Sequence, residues 1–267
     1  MANYVVLVFP CFHVCMLAIV LSRHDFREFD QMISLYTKES GKREALARGV
    51  KKSTAKNAAA LEVGNVVEIE LIPGKEVDHI GTVQLVALFP SVRSSLTKIV
   101  IARYALIFFE RVVKMHAEDY GLFIFLLDFL EMLEKSSVVS GRTLIAFYVR
   151  LLGHLGFAAE FDRCVRGGEA FLAGSPPKYF SIQEGGLVCG PHQATSISAQ
   201  NESVPITALL DVYLKKFQSA PFAEVESTTI TTAEIKQIIR IISLFGAYHG
   251  GIEEPNWNVV DKMLADN

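Results

Sequence analysis

The chain has 267 residues, of which 51% are hydrophobic and 21% are charged. This length is enough for about two domains with sizeable cores, and the hydrophobic content excludes an intrinsically disordered chain. The formal net charge of −3 lacks the positive bias that is typical of many nucleic-acid-binding proteins. The four cysteines, at positions 11, 15, 164 and 189, are too few for a disulfide framework and favour a reducing, cytoplasmic compartment.

Residues 4–21 form an almost continuous apolar run, whose length resembles that of a signal peptide or a short membrane span. No Lys or Arg precedes the run, Pro10 and His13 interrupt it, and residues 17–21 have the pattern of a strand. We therefore expect no membrane segment. We expect instead a folded unit that begins at Met16, preceded by an N-terminal extension over residues 1–15 that derives from an upstream start.

Five short segments rich in β-branched and large apolar residues follow, separated by turns that contain Gly or Pro. Residues 67–71 alternate between apolar and acidic side chains, as in a half-buried strand. Five such strands in about seventy residues predict a small closed or nearly closed barrel, such as an OB-fold, over residues 16–90. The predicted strands are 17–23, 31–37, 43–50, 66–72 and 81–89.

Positive charge is concentrated between residues 38 and 56. This segment has seven basic and two acidic residues, so its formal charge is +5 and the rest of the chain carries −8. A basic patch on an acidic body predicts a surface that binds phosphate groups. A solvated, lysine-rich loop is the alternative interpretation of the same pattern.

Beyond Pro90, apolar residues recur at helical spacing. We predict an all-helical domain over residues 91–267, with an irregular, Gly- and Pro-rich cysteine loop at about 157–200. The fold class is therefore α+β, a barrel followed by a helical domain. The predicted helices are 94–116, 120–133, 140–155, 203–217 and 232–245. Ser94 or Ser95 is the predicted N-cap of the first.

The sequence contains no recognisable motif of an enzyme active site. It lacks the phosphate-binding loop, H-E-x-x-H and G-x-S-x-G. Asp128 and Glu131 share a helical face, but paired carboxylates at this spacing are common. We expect a protein that is not an enzyme. A nuclease built on the barrel is the disfavoured alternative, because no carboxylate cluster accompanies it.

The segments Cys164-Val-Arg-Gly167 and Cys189-Gly-Pro-His192 resemble two zinc knuckles, in which ligands three residues apart converge on one ion. Gly167 occupies one of the four ligand positions. Cys164, Cys189 and His192 would therefore need a water molecule or an outside residue as the fourth ligand. We expect a degenerate, zinc-ribbon-like loop with no metal and no cofactor, and keep a zinc site as the alternative.

The chain contains, in this order, the segments 18–23 (AIVLSR), 28–30 (EFD), 33–42 (ISLYTKESGK), 45–52 (ALARGVKK), 151–157 (LLGHLGF), 161–164 (FDRC) and 180–189 (FSIQEGGLVC). This ordered set resembles the bacterial recombination-repair family RecO. It covers most of residues 16–218, and Gly167 departs from the family's cysteine loop. The resemblance implies an N-terminal OB-fold and a helical domain whose cysteine loop binds zinc in some members.

The resemblance also implies a function, that of a mediator of DNA repair and homologous recombination in the RecF pathway. Such a protein binds single- and double-stranded DNA, anneals complementary strands and, with RecR, helps load RecA onto strands coated with single-strand-binding protein (SSB). The implied partners are DNA, RecR and the SSB C-terminal tail, with RecF and RecA as further candidates. The implied location is the cytoplasm, at the nucleoid.

Charge and resemblance together assign the DNA contacts to the barrel. Binding by phosphate contacts should be sensitive to salt and tolerant of sequence. Tyr36 is the aromatic residue on a nearby strand, and it would either stack on a base or belong to the core. The predicted DNA-binding residues are Arg23, Arg27, Lys38, Lys42, Arg43, Arg48, Lys51, Lys52 and Lys56.

The alternative function is an interaction scaffold, in which the basic stretch binds the acidic tail of a protein partner and not DNA. Arg150, Leu151 and Arg163 mark a helical face where the SSB tail could bind.

Overall fold

The computed structural model describes residues 15–53, 55–171, 178–194 and 203–251. The chain divides into two compact units. The first consists of the described residues up to Leu88 together with Met115–Tyr120, and the second of Phe89–Lys114 and the described residues from Gly121 onwards. Residues 1–14 of the predicted extension lie outside the described residues, and Cys15 is the first residue of a strand.

The first unit is a closed five-stranded barrel, as predicted. Its strands are β1 (Cys15–Asp25), β2 (Gln31–Thr37), β3 (Gly41–Ala47), β4 (Val66–Ile72) and β5 (Asp78–Ala87). The order around the barrel is β1-β2-β3-β5-β4. Neighbouring strands pair antiparallel, except for β3 and β5, which are parallel. Strand number and closure are those of an OB-like barrel.

Alternate residues of the strands form the barrel core. Ala18, Val20, Leu35 and Val67 are fully buried in one hydrophobic cluster. Leu61, from the connection between β3 and β4, belongs to the same cluster and is also fully buried. The second half of the N-terminal apolar run is therefore a barrel strand, because its side chains supply part of this core.

The second unit is mainly helical. The helices among the described residues are α1 (Pro90–Ser94), α2 (Leu96–Val112), α3 (Tyr120–Lys135), α4 (Gly141–His154), α5 (Gly190–Ala194), α6 (Ala208–Ser219), α7 (Phe222–Glu226) and α8 (Thr232–Gly250). The apolar helix α3 packs on α4, where the Phe129 and Phe147 ring centres are 4.3 Å apart. No helix among the described residues is long and apolar enough to cross a membrane.

Side-chain caps define where several helices begin. At each of four positions, a hydroxyl oxygen accepts a hydrogen bond from a backbone N–H of the first turn, which has no partner within the helix. Gly251, with φ of +60°, ends α8 in the left-handed region that suits glycine. The four capping residues are Ser95, Ser140, Thr207 and Thr231.

The helix predicted over residues 94–116 begins at a predicted cap but ends early. Ser95, one of its two predicted N-cap residues, has an extended backbone and separates α1 from α2. This cap agrees with the N-cap preference of serine. Helix α2 ends at Val112, and the short helix α1 was not predicted.

The cysteine loop predicted as irregular contains regular structure. Its described part forms the hairpin β6 (Lys178–Ser181) and β7 (Gly186–Cys189), followed by α5. The strand β8 (Ser203–Ile206) pairs with β6 and completes a three-stranded antiparallel sheet. The prediction of a helix from residue 203 is therefore wrong over its first residues. Pro205 lacks the N–H that a helix interior needs, which favours a strand at the sheet edge.

The buried carboxylate of Glu226 holds the start of α4. It accepts hydrogen bonds from the backbone N–H groups of Ser140 and Thr143, at 3.1 and 3.0 Å, and from the Thr143 hydroxyl. Its side chain is only 8% exposed. A negative charge at a helix N-terminus is also favoured by the helix dipole.

We expect Glu226→Ala to lower the free energy of unfolding by about 1–3 kcal/mol, because buried N–H donors lose their acceptor. The matched control is Glu224→Ala, which removes an exposed carboxylate from the same helix. Urea unfolding midpoints of the two variants and the parent chain would measure the difference. Equal midpoints for the two variants would contradict the capping role.

Candidate functional site

Three of the nine predicted DNA-binding cations are paired with carboxylates of the barrel. Arg43 Nη2 lies 2.5 Å from Asp78 Oδ2. Arg23 pairs with Glu62, and its guanidinium also donates to Gln31 Oε1 at 2.7 Å. The side chains of Arg23 and Arg43 are only 16% and 27% exposed, so both stabilise the barrel itself.

Lys51 is the third paired cation, and its partner is Asp25. The Lys51 Nζ atom lies 2.7 Å from Asp25 Oδ2. Hydrogen bonds from Lys51 and Gln31 lower the pKa of the Asp25 carboxyl group. The Asp25 side chain is 65% exposed, so an exposed phosphate group could displace it at small cost.

The loop between β1 and β2 exposes two aromatic rings, each next to a cation. Phe26 is 48% exposed and Phe29 is 43% exposed. The guanidinium carbon of Arg27 lies 5.0 Å from the centre of the Phe26 ring, and Lys52 Nζ lies 5.7 Å from the centre of the Phe29 ring. Both distances fit cation–π contacts. We call Phe26, Arg27, Phe29, Lys51 and Lys52 the loop surface.

Backbone hydrogen bonds hold the two segments of the loop surface together. Phe26 N donates to Asp30 O at 3.1 Å, which closes the loop between β1 and β2. Gly49 N donates to the Asp30 carboxylate at 2.7 Å, and Lys51 N donates to Phe29 O at 3.0 Å. These bonds connect the loop to the segment that follows β3, so aromatic and basic side chains lie on one surface.

The other predicted cations lie elsewhere on the barrel. Arg48 Nη2 is 3.1 Å from His79 Nε2, and Arg48 and Lys56 line one cleft. Lys38 is exposed, with Nζ 5.4 Å from the centre of the Tyr120 ring. Lys42 is half-buried on β3. The nine cations therefore differ in exposure and in the groups that they contact.

Tyr36 belongs to the core and does not offer its ring for stacking. It is fully buried, and its hydroxyl donates to the backbone oxygens of Ala117 and Asp119, each at 3.1 Å. Burial and the nearby Asp119 charge raise the pKa of Tyr36 to about 12. The aromatic residues that sequence reasoning missed are Phe26 and Phe29. The sequence feature that could have indicated them is the pair of phenylalanines within the charged stretch from Asp25 to Asp30.

The helical face proposed for the SSB tail is largely occupied by the protein itself. Leu151 is only 1% exposed. The Arg150 guanidinium donates to Phe217 O at 3.0 Å, and its carbon lies 4.0 Å from the centre of the Phe222 ring. Burial lowers the pKa of Arg150 to about 10. Arg163 is exposed, Arg150 is half-buried and Leu151 is buried, so that interpretation is wrong for Leu151.

The second unit brings four candidate metal ligands together, namely Cys164, Glu169, Cys189 and His192. One ligand atom from each lies within 4.8 Å of the other three. His192 Nδ1 is 3.1 Å from Cys189 Sγ, 3.5 Å from Cys164 Sγ and 3.8 Å from Glu169 Oε2. We call these four side chains the cysteine cluster. In the described part of the chain, no other group of three or more His, Cys, Asp or Glu side chains is close enough to hold a metal ion.

Three members of the cysteine cluster were recognisable from sequence, and Glu169 was not. A tight turn brings it back to Cys164: Cys164 N donates to Glu169 O at 2.9 Å, and Gly168 N donates to Cys164 O at 2.7 Å. Burial acts to raise the pKa of the Cys164 thiol, but backbone N–H donors, including those of Cys189 and Gly167, bring it down to about 7. Such donors favour the thiolate, which is the form that binds metals.

Two family models match the chain. The model described as Recombination protein O N terminal matches residues 15–89, and the model described as Recombination protein O C terminal matches residues 93–257. The chain belongs to the recombination protein O (RecO) family. The resemblance seen in the sequence is therefore confirmed, and the two RecO models correspond to the barrel and to the helical unit.

Similar proteins carry the name DNA repair protein RecO. The relative from Myxococcus xanthus is 31% identical over 237 residues, which cover 88% of this chain and 91% of the relative. The relative from Pelotomaculum thermopropionicum is 33% identical over 173 residues, or 65% of this chain and 66% of the relative. A Thermoanaerobacter relative is 23% identical over 249 residues, or 92% of this chain and 96% of the relative.

We expect Tyr36→Phe to lower the free energy of unfolding by about 1 kcal/mol at neutral pH, because two backbone oxygens lose their donor. In the parent chain, an unfolded tyrosine ionises near pH 10 and the folded Tyr36 near pH 12, so stability should fall as pH rises through this window. Tyr36→Phe should make that alkaline fall shallower. Urea unfolding between pH 9 and about 12 would measure it.

The control is Tyr120→Phe, at an exposed tyrosine of the same unit. This variant should retain the parent's alkaline slope. If the stability of Tyr36→Phe fell with alkaline pH as steeply as that of the parent chain, the raised pKa of Tyr36 would be contradicted.

Proposed function

We propose that the chain is a DNA repair and recombination mediator that binds DNA and is not an enzyme. In this proposal it binds single- and double-stranded DNA through the barrel and anneals complementary strands. With RecR it helps load RecA onto SSB-coated strands. The observation that carries the DNA-binding part is the loop surface, in which exposed Phe26 and Phe29 each lie next to a cation. Family membership supports the rest.

The position of the loop surface supports nucleic acid as its ligand. OB-folds bind oligonucleotides with the loops that follow their first and fourth strands. Here the first of these loops carries Phe26, Arg27 and Phe29, and the second contains the exposed Lys75. Cations neutralise phosphates and release counterions, while aromatic rings stack on bases of any sequence. Such a surface would bind strands with little sequence preference.

Weak, salt-sensitive binding suits annealing. Two complementary strands repel each other through their phosphates, and a basic surface lowers this repulsion. Two stacking rings would hold only a few bases, so most bases of a bound strand would stay free to pair. The strong carboxylate pairing of Arg23 and Arg43 keeps two further cations out of the contact, which keeps the binding loose.

The non-enzymatic character is proposed from membership of the RecO family. Within the part of the barrel that the structure describes, no three His, Cys, Asp or Glu side chains converge as a nuclease metal site would require. The proposed location is the cytoplasm, at the nucleoid. The proposed partners are RecR and the SSB tail, with RecF and RecA as further candidates.

We expect the double variant Lys51→Glu, Lys52→Glu to bind single-stranded DNA more weakly for every sequence. Its salt dependence should also be shallower, because the slope of log affinity against log salt should fall by about 1 for each lost phosphate contact. Fluorescence anisotropy with homopolymeric and mixed oligonucleotides at several salt concentrations would measure both. Strand annealing, with and without SSB, should slow in parallel.

The matched control is Lys236→Glu, Arg240→Glu, which makes the same charge change on the exposed face of α8. It should bind and anneal nearly as the parent does. Equal losses in both double variants would indicate a general charge effect and contradict the loop surface. If SSB tail peptide bound to the loop surface while DNA did not, the scaffold alternative would replace this proposal.

We expect Phe26→Ala and Phe29→Ala to weaken single-stranded DNA binding by about 1–3 kcal/mol for each lost base stack. Duplex binding should change less, because paired bases are not available to stack on the rings. Tyr248→Ala, at a 54% exposed ring of the second unit, is the control. Fluorescence anisotropy with single-stranded and duplex DNA of the same sequence would measure both affinities. An equal loss of affinity for single-stranded and duplex DNA would argue against stacking.

A further inference from the structure

The cysteine cluster has a feature that the sequence spacing of its ligands does not reveal. Gly167 stands where the second ligand of the first knuckle was expected. A Cβ atom built at Gly167 would collide with the Glu169 carboxylate and with the His192 ring. The space that a side chain at residue 167 would need is thus taken by Glu169 and His192. The carboxylate of Glu169 therefore lies where a side chain at residue 167 would begin.

The distances within the cysteine cluster fit one tetrahedral ion. Zinc bonds of about 2.0–2.3 Å to nitrogen, oxygen and sulfur place neighbouring ligand atoms about 3.3–3.8 Å apart. The measured separations from His192 Nδ1 to the other ligand atoms are 3.1, 3.5 and 3.8 Å. Small side-chain movements would suffice to complete the tetrahedron, and the exposed Glu169 is free to make them.

The hairpin and α5 position two ligands of the cysteine cluster, Cys189 and His192. The hairpin of β6 and β7 places Cys189 at the end of a strand, and α5 brings His192 back three residues later. Arg166 Nη1 donates to His192 O at 2.8 Å, and its Nε pairs with Glu184 at 2.9 Å. Outer contacts of this kind orient metal ligands and are part of a functional site.

The donor set indicates which ion would bind. Two sulfurs and an imidazole are the ligands that zinc prefers, whereas calcium and magnesium take oxygen ligands. Four protein ligands leave no open position, which is the pattern of a structural site and not of a catalytic one.

We propose that Glu169 is the fourth ligand of a structural zinc site in this chain and replaces the ligand absent at Gly167. The other three ligands are Cys164, Cys189 and His192. The expectation of a metal-free loop rested on three ligands, and the structure supplies the fourth. The proposed role of the ion is structural: its ligands would link the turn at residues 164–169 to the hairpin and to α5. The inference does not depend on DNA binding by the barrel.

The test is the metal content and the metal spectrum of the purified full chain. Elemental analysis should find about one zinc per chain, the stoichiometry of a single four-ligand structural site. Replacement by Co²⁺ should produce the visible bands of a tetrahedral ion and a thiolate-to-cobalt charge-transfer band. Glu169→Gln should weaken zinc binding at least about tenfold in a chelator competition, since loss of even an outer-shell partner has that effect.

Glu169→Cys should restore tight binding and strengthen the charge-transfer band, because it adds a third thiolate. Asp162→Asn is the matched control, since it removes an 83% exposed carboxylate two residues from Cys164 and leaves the ligands in place. Far-ultraviolet circular dichroism would verify that each variant is folded. A parent chain that binds neither zinc nor cobalt would overturn the proposal. So would Glu169→Gln with parental affinity and an unchanged cobalt spectrum.

Discussion

Closure of the barrel by β1 is the constraint on which the first unit depends. β1 pairs with β2 along one edge and with β4 along the other, so its eleven residues join both ends of the sheet. Closure leaves no free strand edge and gives alternate side chains one shared interior. It also determines where the loop after β1 emerges. That loop carries Phe26 and Phe29, so the same hydrogen bonds that stabilise the barrel position the proposed DNA surface.

The basic residues of the barrel have two roles that the sequence does not distinguish. Arg23 and Arg43 are half-buried and paired with carboxylates, and removing one partner would leave a charge without compensation. Arg27 and Lys52 are exposed, and each lies next to an aromatic ring. A count of basic residues therefore overstates the number available to phosphates. The paired cations maintain the barrel, and the exposed ones are suited to bind an external anion.

The fold was predictable to the extent that its determinants are local. Strand alternation indicated the barrel, and apolar periodicity indicated most helices. Both patterns arise because the apolar residues of a strand or helix that packs on a core recur with the period of that element. The prediction failed where a single residue overrides the pattern. Pro205, for example, favours β8 over the start of a helix. The three-stranded sheet was missed because β8 is separated from β6 by more than twenty residues and pairs only through tertiary structure.

The sequence by itself determined the family, the barrel-plus-helices order, the basic segment and three members of the cysteine cluster, since each depends on residue type and spacing along the chain. Only the tertiary structure decided which cations are already paired, that Tyr36 is buried while Phe26 and Phe29 are exposed, and that Glu169 fills the space beside Gly167. The physical reason is the same in each case. Burial, pairing and convergence are properties of side chains brought together from distant positions or by a tight turn, and spacing along the chain does not encode them.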